Sequence, residues 1–227
     1  MTNCEKGLLL NDNCINVLDT LGNETIDLVL TDPPYLINYK TNRRKNKGHD
    51  FCSEIINDDI DYKELLAIYF SECYRVLKQN TAMYVFSSPK TQHVFAELLI
   101  DAGFNIKNRI IWDKGHWTSG DLVAQLGQQY EIIFLVNKGR KPFNGKRIGD
   151  VWRFKKVLGK KQRHQNQKPI PLLEQCLLTH SNEGDLVFDG FAGVATTAKA
   201  CVNTNRSYIC VEIDKKYHDI ALELLEL

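Results

Sequence analysis

Seven short apolar runs punctuate the chain: GLLLND (7–12), IDLVLTD (26–32), TAMYVFSS (81–88), KNRIIWDK (107–114), EIIFLVNK (131–138), DLVFDG (185–190) and SYICVEID (207–214). They are rich in Val, Ile and Leu and mostly do not alternate with polar residues. Each therefore reads as a strand covered on both faces. Between them lie segments with helical spacing. Over 61–79, Leu65, Leu66, Tyr69, Cys73, Val76 and Leu77 form one apolar stripe, and 89–102, 170–181, 196–204 and 214–226 behave alike. Strand and helix in alternation predict an α/β fold, a mainly parallel central sheet of about seven strands with helices on both faces. The 227 residues are read as a single domain, 1–227, with ample material for a core.

Composition excludes several classes. No apolar run approaches the roughly 18 residues of a membrane helix. The start MTNCEKGLLLNDNC is no signal peptide, so a cytoplasmic chain without membrane contact is expected. Seven scattered cysteines form no CxxC and six histidines no HExxH, which predicts reduced structural thiols and no metal site. Net charge is only +1, but it is unevenly spread. Residues 40–47, KTNRRKNK, hold five basic side chains and no acid, and 138–163 hold eleven Lys or Arg against Asp150 alone. Either run by itself is an ordinary solvated face. Both fall in polar, weakly periodic segments, 38–60 and 139–167, and two such runs suggest a polyanion partner.

The run DLVFDGFAGVATTAKAC (185–201) is a strand, a small-residue turn and a helix. Such a turn lets backbone approach a ligand, and the helix start offers free N–H groups. Glu212 follows Asp189 by 23 residues at the end of the next strand, where a carboxylate can grip ribose hydroxyls. Many α/β proteins carry small-residue turns only for packing, and the absence of GxGxxG disfavours a dinucleotide. Upstream, VLTDPPYLINYK (29–40) ends a strand at Asp32 and continues through Pro33 and Pro34 to Tyr35. Alone, this is a turn with a core tyrosine.

Together these elements resemble a β-class DNA amino-methyltransferase in its small form, without a separate target-recognition domain. TDPPY resembles that family's catalytic motif, HQNQKPIPLLEQCL (164–177) its HPTQKP segment, and DGFAGVATTAKAC its DPFxGSGTT. YICVEIDKKYHDIA resembles the following strand with its acidic residue, and LLLNDNCINVL the N-terminal GDxxxxL element. RIIWDK and YEIIFLVNK match later strands. The order is the family's own, and the likeness covers nearly the whole chain. It implies a Rossmann-like methyltransferase fold and S-adenosyl-L-methionine as cofactor. Asp12 would meet the adenine amino group and Glu212 the ribose. Phe191, Ala192 and Gly193 would wrap the methionine side, with Lys168 supporting the pocket. Read locally, Asp12 is instead a helix N-cap and Lys168 a charge at a helix start. Gly190 stands for the family's proline, Val194-Ala195 for its Ser-Gly, and Gln165-Asn166 for Pro-Thr. Ala195 matters if its position needs positive φ.

The resemblance also gives TDPPY a chemistry. An exocyclic amine on a base is a poor nucleophile because its lone pair is delocalised into the ring. Asp32 and the Pro33 carbonyl can accept its hydrogens, the two prolines stiffen that backbone, and Tyr35 offers a face for a base flipped out of double-stranded DNA. Asp at the first position resembles adenine-N6 enzymes more than cytosine-N4 enzymes, which more often carry Ser. The expected activity is therefore adenine-N6 methylation of DNA, of the restriction-modification kind. Cytosine-N4 methylation is the near alternative, and a non-catalytic nucleic-acid-binding relative is one of another class. Segments 40–57 and 139–165 are expected to hold DNA, through Arg43, Arg44, Lys45 and Lys47, and through Lys146, Arg147, Arg153, Lys155 and Lys156. Relatives of this class often form dimers, which implies a homodimer.

Overall fold

The computed structural model describes residues 7–37, 62–117, 123–157 and 167–226. Its elements are β1 (Gly7–Leu10), α1 (Cys14–Thr20), β2 (Ile26–Thr31), α2 (Lys63–Val76), β3 (Leu77–Ser87), α3 (Gln92–Asp101), β4 (Asn105–Asp113) and β5 (Tyr130–Lys138). They continue as β6 (Val151–Arg153), α4 (Ile170–His180), β7 (Leu186–Asp189), α5 (Thr196–Asn203), β8 (Ser207–Val211) and α6 (Lys215–Leu225). One sheet holds all the strands in the order β1-β8-β7-β2-β3-β5-β4-β6. From β1 to β3 neighbours are parallel. β5 is antiparallel to both β3 and β4, and β6 pairs parallel with β4.

The apolar runs are continuous because both sheet faces are covered. Val29, Met83, Val85, Phe134 and Val136 pack with α1, α2 and α3. Their neighbours Leu28, Leu30, Ala82, Tyr84, Phe86, Ile133 and Leu135 pack with α4, α5 and Ala221 of α6. Each fully buried side chain of this kind contributes about 1.5–3 kcal/mol. The described cysteines, Cys14, Cys73, Cys176, Cys201 and Cys210, are free and buried, and burial pushes the Cys14 thiol up to about 12. No helix among the described residues is long and apolar enough to cross a membrane.

Three local expectations change. Among the described residues the strands number eight rather than about seven, because β6 lies inside the segment read as a loop. Three residues show no periodicity, and β6 exists only through pairing with Ile111, Trp112 and Asp113. The helix expected over 61–79 stops at Val76, and β3 begins at Leu77, four residues before the run at 81. Helix α1 is too short to reveal a stripe, and its N-cap is Asn13, whose Oδ1 accepts the Ile15 N–H at 2.9 Å. Asp12 is thereby released from the capping role.

The turn after β7 departs from the family pattern in ways the packing explains. Gly190 N–H donates to the Tyr69 hydroxyl at 3.3 Å, and a Cβ there would lie 2.6 Å from the Tyr69 ring and 3.0 Å from Cys14 Cβ. No side chain fits. Ala195 does adopt the left-handed conformation, φ 56° and ψ 40°. That conformation costs an L-residue about 1–2 kcal/mol. Its methyl is fully buried, which returns roughly 0.8 kcal/mol, so the alanine is tolerated. Gly190→Ala should destabilise the protein by about 1–3 kcal/mol through overpacking. Gly190→Pro should be worse, because it also removes the donor to Tyr69. Urea unfolding of the two variants beside the parent checks both, and a neutral Gly190→Ala would refute the close contact.

Candidate active site

The strand order reverses between β2 and β7, and in open α/β sheets the crevice outside the strand ends at such a point is where ligands bind. Strand directions bring many charged ends to this one edge. Asp32 follows β2, Asp189 ends β7 and Glu212 follows β8. Because β5 runs antiparallel to β3, its start, with Glu131, reaches the same edge, as do Asp113 at the end of β4 and Lys114 just after it.

Asp32 is half-buried, and the chain passes through Pro33 and Pro34 to Tyr35 before Leu36 takes the left-handed φ of 58°. Thr91 Oγ1 donates to the Tyr35 carbonyl at 2.7 Å and fixes the corner. The Tyr35 hydroxyl lies 2.7 Å from Asp32 Oδ1 and 3.1 Å from Glu131 Oε2. Lys168, immediately before the N-cap of α4, is buried among Tyr35, Phe86 and Trp112, its Nζ 5.2, 5.0 and 5.9 Å from their ring centres. Its Nζ also lies 2.6 Å from Asp32 Oδ2, 2.8 Å from Tyr35 Oη and 3.4 Å from Glu131 Oε2. Lys114 Nζ holds the other Glu131 oxygen at 2.6 Å. Two lysines and two carboxylates thus close a neutral cluster with one phenol.

Burial opposes charge throughout this cluster, and pairing decides the outcome. Burial raises Asp32 above the usual carboxylate range despite Lys168. It opposes ionisation of Glu131 as well, but Lys168 and Lys114 outweigh it and hold that carboxyl down at about 2. Lys168, although desolvated, is raised by Asp32 and Glu131 and stays an ammonium.

A second cluster surrounds the turn after β7. Asp189 accepts from Thr197 Oγ1 at 2.6 Å and from the Phe191 N–H at 3.1 Å, and burial pushes it up to about 6. Phe191 packs edge-on against Tyr69 at 4.8 Å, and the Ala192 N–H donates to the Val211 carbonyl. Gly193, at φ 54°, donates its N–H to Glu212 Oε2 at 2.7 Å, and the Asp214 N–H reaches Oε1 at 2.8 Å. Burial raises Glu212 to about 7. Asn11 ties the end of β1 to the end of β8 through the carbonyls of Glu212 and Ile213. Asp12 follows Asn11 between β1 and α1, exposed, its Oδ1 accepting the Asn13 N–H.

The expected DNA residues divide. Arg43, Arg44, Lys45 and Lys47 lie outside the described residues. Arg153 stands at the site edge, 76% exposed and paired with Asp113 at 2.7 Å, with Lys155 and Lys156 just beyond it. Lys146 and Arg147 do not join them. Arg147 lines a cavity with Lys107, Asn137 and His180, and Asn144 is bonded to the C-terminal end of α4. That is the length of α4, about 16 Å, from the Lys168 end. Sequence reasoning missed Glu131, Lys114 and Tyr69. A charge bounding an apolar strand was the only signal for the first two, and it does not say which edge of the sheet the strand end meets.

A family model described as DNA methylase, covering the adenine-N6 and cytosine-N4 enzymes, matches residues 26–223. The chain belongs to the N6/N4 DNA methylase family. It is 28% identical to the DNA adenine methyltransferase YhdJ of Escherichia coli strain K12 over 256 residues, spanning 98% of this chain and 84% of YhdJ. The crystal structure of the M1.HpyAVI–SAM complex superposes with a TM-score of 0.74 at 22% identity, covering 97% of this chain and 100% of that one. The PvuII DNA methyltransferase, cytosine-N4-specific, gives 0.76 at 14% identity, over 95% and 84%. This methylase therefore has the Rossmann-like methyltransferase fold.

Removing Lys168 would leave two buried carboxylates facing each other. Lys168→Met should cost the methylase about 3–5 kcal/mol near neutral pH. In that variant Asp32 and Glu131 bind protons more readily folded than unfolded, so the deficit should shrink as pH falls. Urea unfolding at pH 8 and pH 5 measures both, and a deficit independent of pH would refute the pairing.

Proposed function

We propose that this DNA methyltransferase moves a methyl group from S-adenosyl-L-methionine to the exocyclic N6 of an adenine flipped out of double-stranded DNA. The observation that carries the reading is the juxtaposition of two corners at the reversal of strand order: Asp32-Pro33-Pro34-Tyr35 after β2 and Asp189–Ala195 after β7. Either corner alone is commonplace. A rigid acceptor pair beside a small-residue turn with a ribose-type carboxylate suits methyl transfer to an amine.

The residues suit the cofactor chemically. Each Glu212 oxygen accepts one backbone N–H and keeps a further lone pair for a ribose hydroxyl. Asp12, freed from capping, would accept from the adenine amino group, and Phe191, Ala192 and Gly193 would line the methionine side. Lys168 supports this pocket by fixing Asp32. When bound, the cofactor supplies an electrophilic methyl on a sulfonium. Asp32 and the Pro33 carbonyl would accept the two hydrogens of the target amine and localise its lone pair. Tyr35 would stack on the base once its hydroxyl leaves Asp32. Asp32 acts as acceptor and charge stabiliser, because the amine can lose its proton after transfer.

Adenine is favoured over cytosine by the Asp in TDPPY and by the likeness to a relative named for adenine. The likeness to a cytosine-N4-specific fold keeps that target as the second reading. DNA would lie along Arg153, Lys155 and Lys156 and the 40–57 segment, with 1–227 acting as one domain. Lys146 and Arg147 would then touch DNA only away from the target base. A homodimer belongs to the same reading, on resemblance alone.

Asp32→Ala should lower methyl transfer at saturating cofactor by about 100- to 1000-fold, the contribution of one acceptor in a dry site. Asp32→Asn should keep residual activity. Digestion of methylated DNA to nucleosides should give N6-methyldeoxyadenosine; N4-methyldeoxycytidine would overturn the target, and full activity of Asp32→Ala the mechanism.

Hydroxyls donate well only to ionised Glu212, which burial raises to about 7. Cofactor affinity should therefore rise with pH through that value and weaken below it, by up to about tenfold per unit. Glu212→Gln should bind about 10- to 100-fold more weakly and lose this component of the pH dependence. Calorimetric titrations at pH 6, 7 and 8, compared between parent and variant, test the assignment. Equal affinities in the two would sink it.

A further inference from the structure

Asp32 meets the crevice already occupied. The phenol of Tyr35 has one proton, yet its oxygen lies within hydrogen-bond reach of two carboxylates, 2.7 Å from Asp32 and 3.1 Å from Glu131. The ammonium of Lys168 faces the same two, at 2.6 and 3.4 Å. Both donors are thus shared between the same acceptors, and in each case the shorter contact goes to Asp32. Glu131 offers them one oxygen, Oε2, because Oε1 is held by Lys114 at 2.6 Å. Its backbone is fixed as well, paired with Trp112 of β4.

This arrangement conflicts with the role proposed for Asp32. A carboxylate that already accepts from an ammonium and a phenol has less to offer a target amine. The two donors must go elsewhere when the amine arrives, and leaving a buried ammonium unpaired would be strongly unfavourable. Glu131 Oε2 is the acceptor within reach, and Lys114 keeps it aimed at them. We propose that Glu131 is a positioning residue that takes over Lys168 and the Tyr35 hydroxyl as Asp32 engages the target amine. The exchange moves hydrogen bonds only: the phenolic proton stays on Tyr35 and the ammonium keeps its charge. It frees the Tyr35 ring and Asp32 in one rearrangement. This inference rests on the proposed function, because it presumes that Asp32 holds the amine.

The groups facing Asp32 are Lys168 from the start of α4, Glu131 from β5 with Lys114 behind it, Tyr35 from its own corner, and Asp189 from the end of β7. They predict opposite shifts for two variants. Glu131→Gln removes a negative charge near Asp32 and leaves Lys168 to it alone. The acid limb of kcat/KM for DNA, measured at saturating cofactor, should move to lower pH, and kcat should fall about 10- to 100-fold. Lys114→Met leaves the Glu131 charge less neutralised, so the limb should move to higher pH. The limb reports the charge of Glu131 beside Asp32, whereas a Glu131 that merely stabilised the fold would leave kcat of the folded variant unchanged. An unmoved limb in Glu131→Gln, or an upward move, overturns the proposal, and so does an unchanged kcat.

Should Glu131→Gln fail to fold, with Lys114 left buried beside an amide, Glu131→Gln/Lys114→Met removes both charges. It should fold and still lose kcat; parent-like kcat would overturn the exchange. Asp32→Ala measured alongside separates the two levels. If it is fully active, the proposed function falls. If it is inactive while the acid limb of Glu131→Gln stays unmoved, only the exchange falls.

Discussion

A buried ammonium is tenable only where carboxylates surround it, and Lys168 binds the edge of this sheet together on those terms. It joins the chain after β2, Glu131 near the start of β5, and the entry to α4, stretches separated by 99 and 37 residues in sequence. The same contact orients Asp32, lifts Tyr35 into the crevice wall and gives α4 a fixed starting point under the sheet. Because each charge in the cluster has a close partner of opposite sign, pairing offsets the desolvation that burial imposes. Because each donor has two acceptors, it can also rearrange without exposing a charge.

The neighbouring turn meets a steric constraint. Tyr69, rising from α2, bonds both Thr31 at the end of β2 and Gly190 after β7. It spans the crevice floor beneath the proposed substrate and cofactor positions. A ring in that place leaves no room for a side chain at Gly190, so this tyrosine and a glycine at that position require each other in this chain. The left-handed Ala195 follows another balance, strain against the burial of a methyl group.

Most of the sheet was legible because parallel strands covered on both faces are continuous apolar runs, and the turn and TDPPY stand at their ends. What escaped was whatever depends on pairing between distant strands. β6 has no pattern of its own, and α1 is seven residues long. Glu131 and Lys114 look like ordinary charges at strand ends until the antiparallel turn of β5 brings them to the edge holding Asp32. The same reversal carries Lys146 and Arg147 toward the opposite end of α4. Charge density in the sequence marked them with Arg153, but charge density carries no direction.

The buried thiols give the two helical layers separate optical handles. Cys14 and Cys73 sit in the layer of α1 and α2, Cys176 and Cys201 in that of α4 and α5, and burial suppresses the thiolate in each. A thiol so placed reacts with an alkylating dye only while its surroundings part. Cys14 lies against Gly190, so its labelling rate counts openings of the crevice floor itself. Cys176, within α4, counts departures of the helix that Lys168 anchors. The chain thus carries native clocks for the breathing of each side of its sheet.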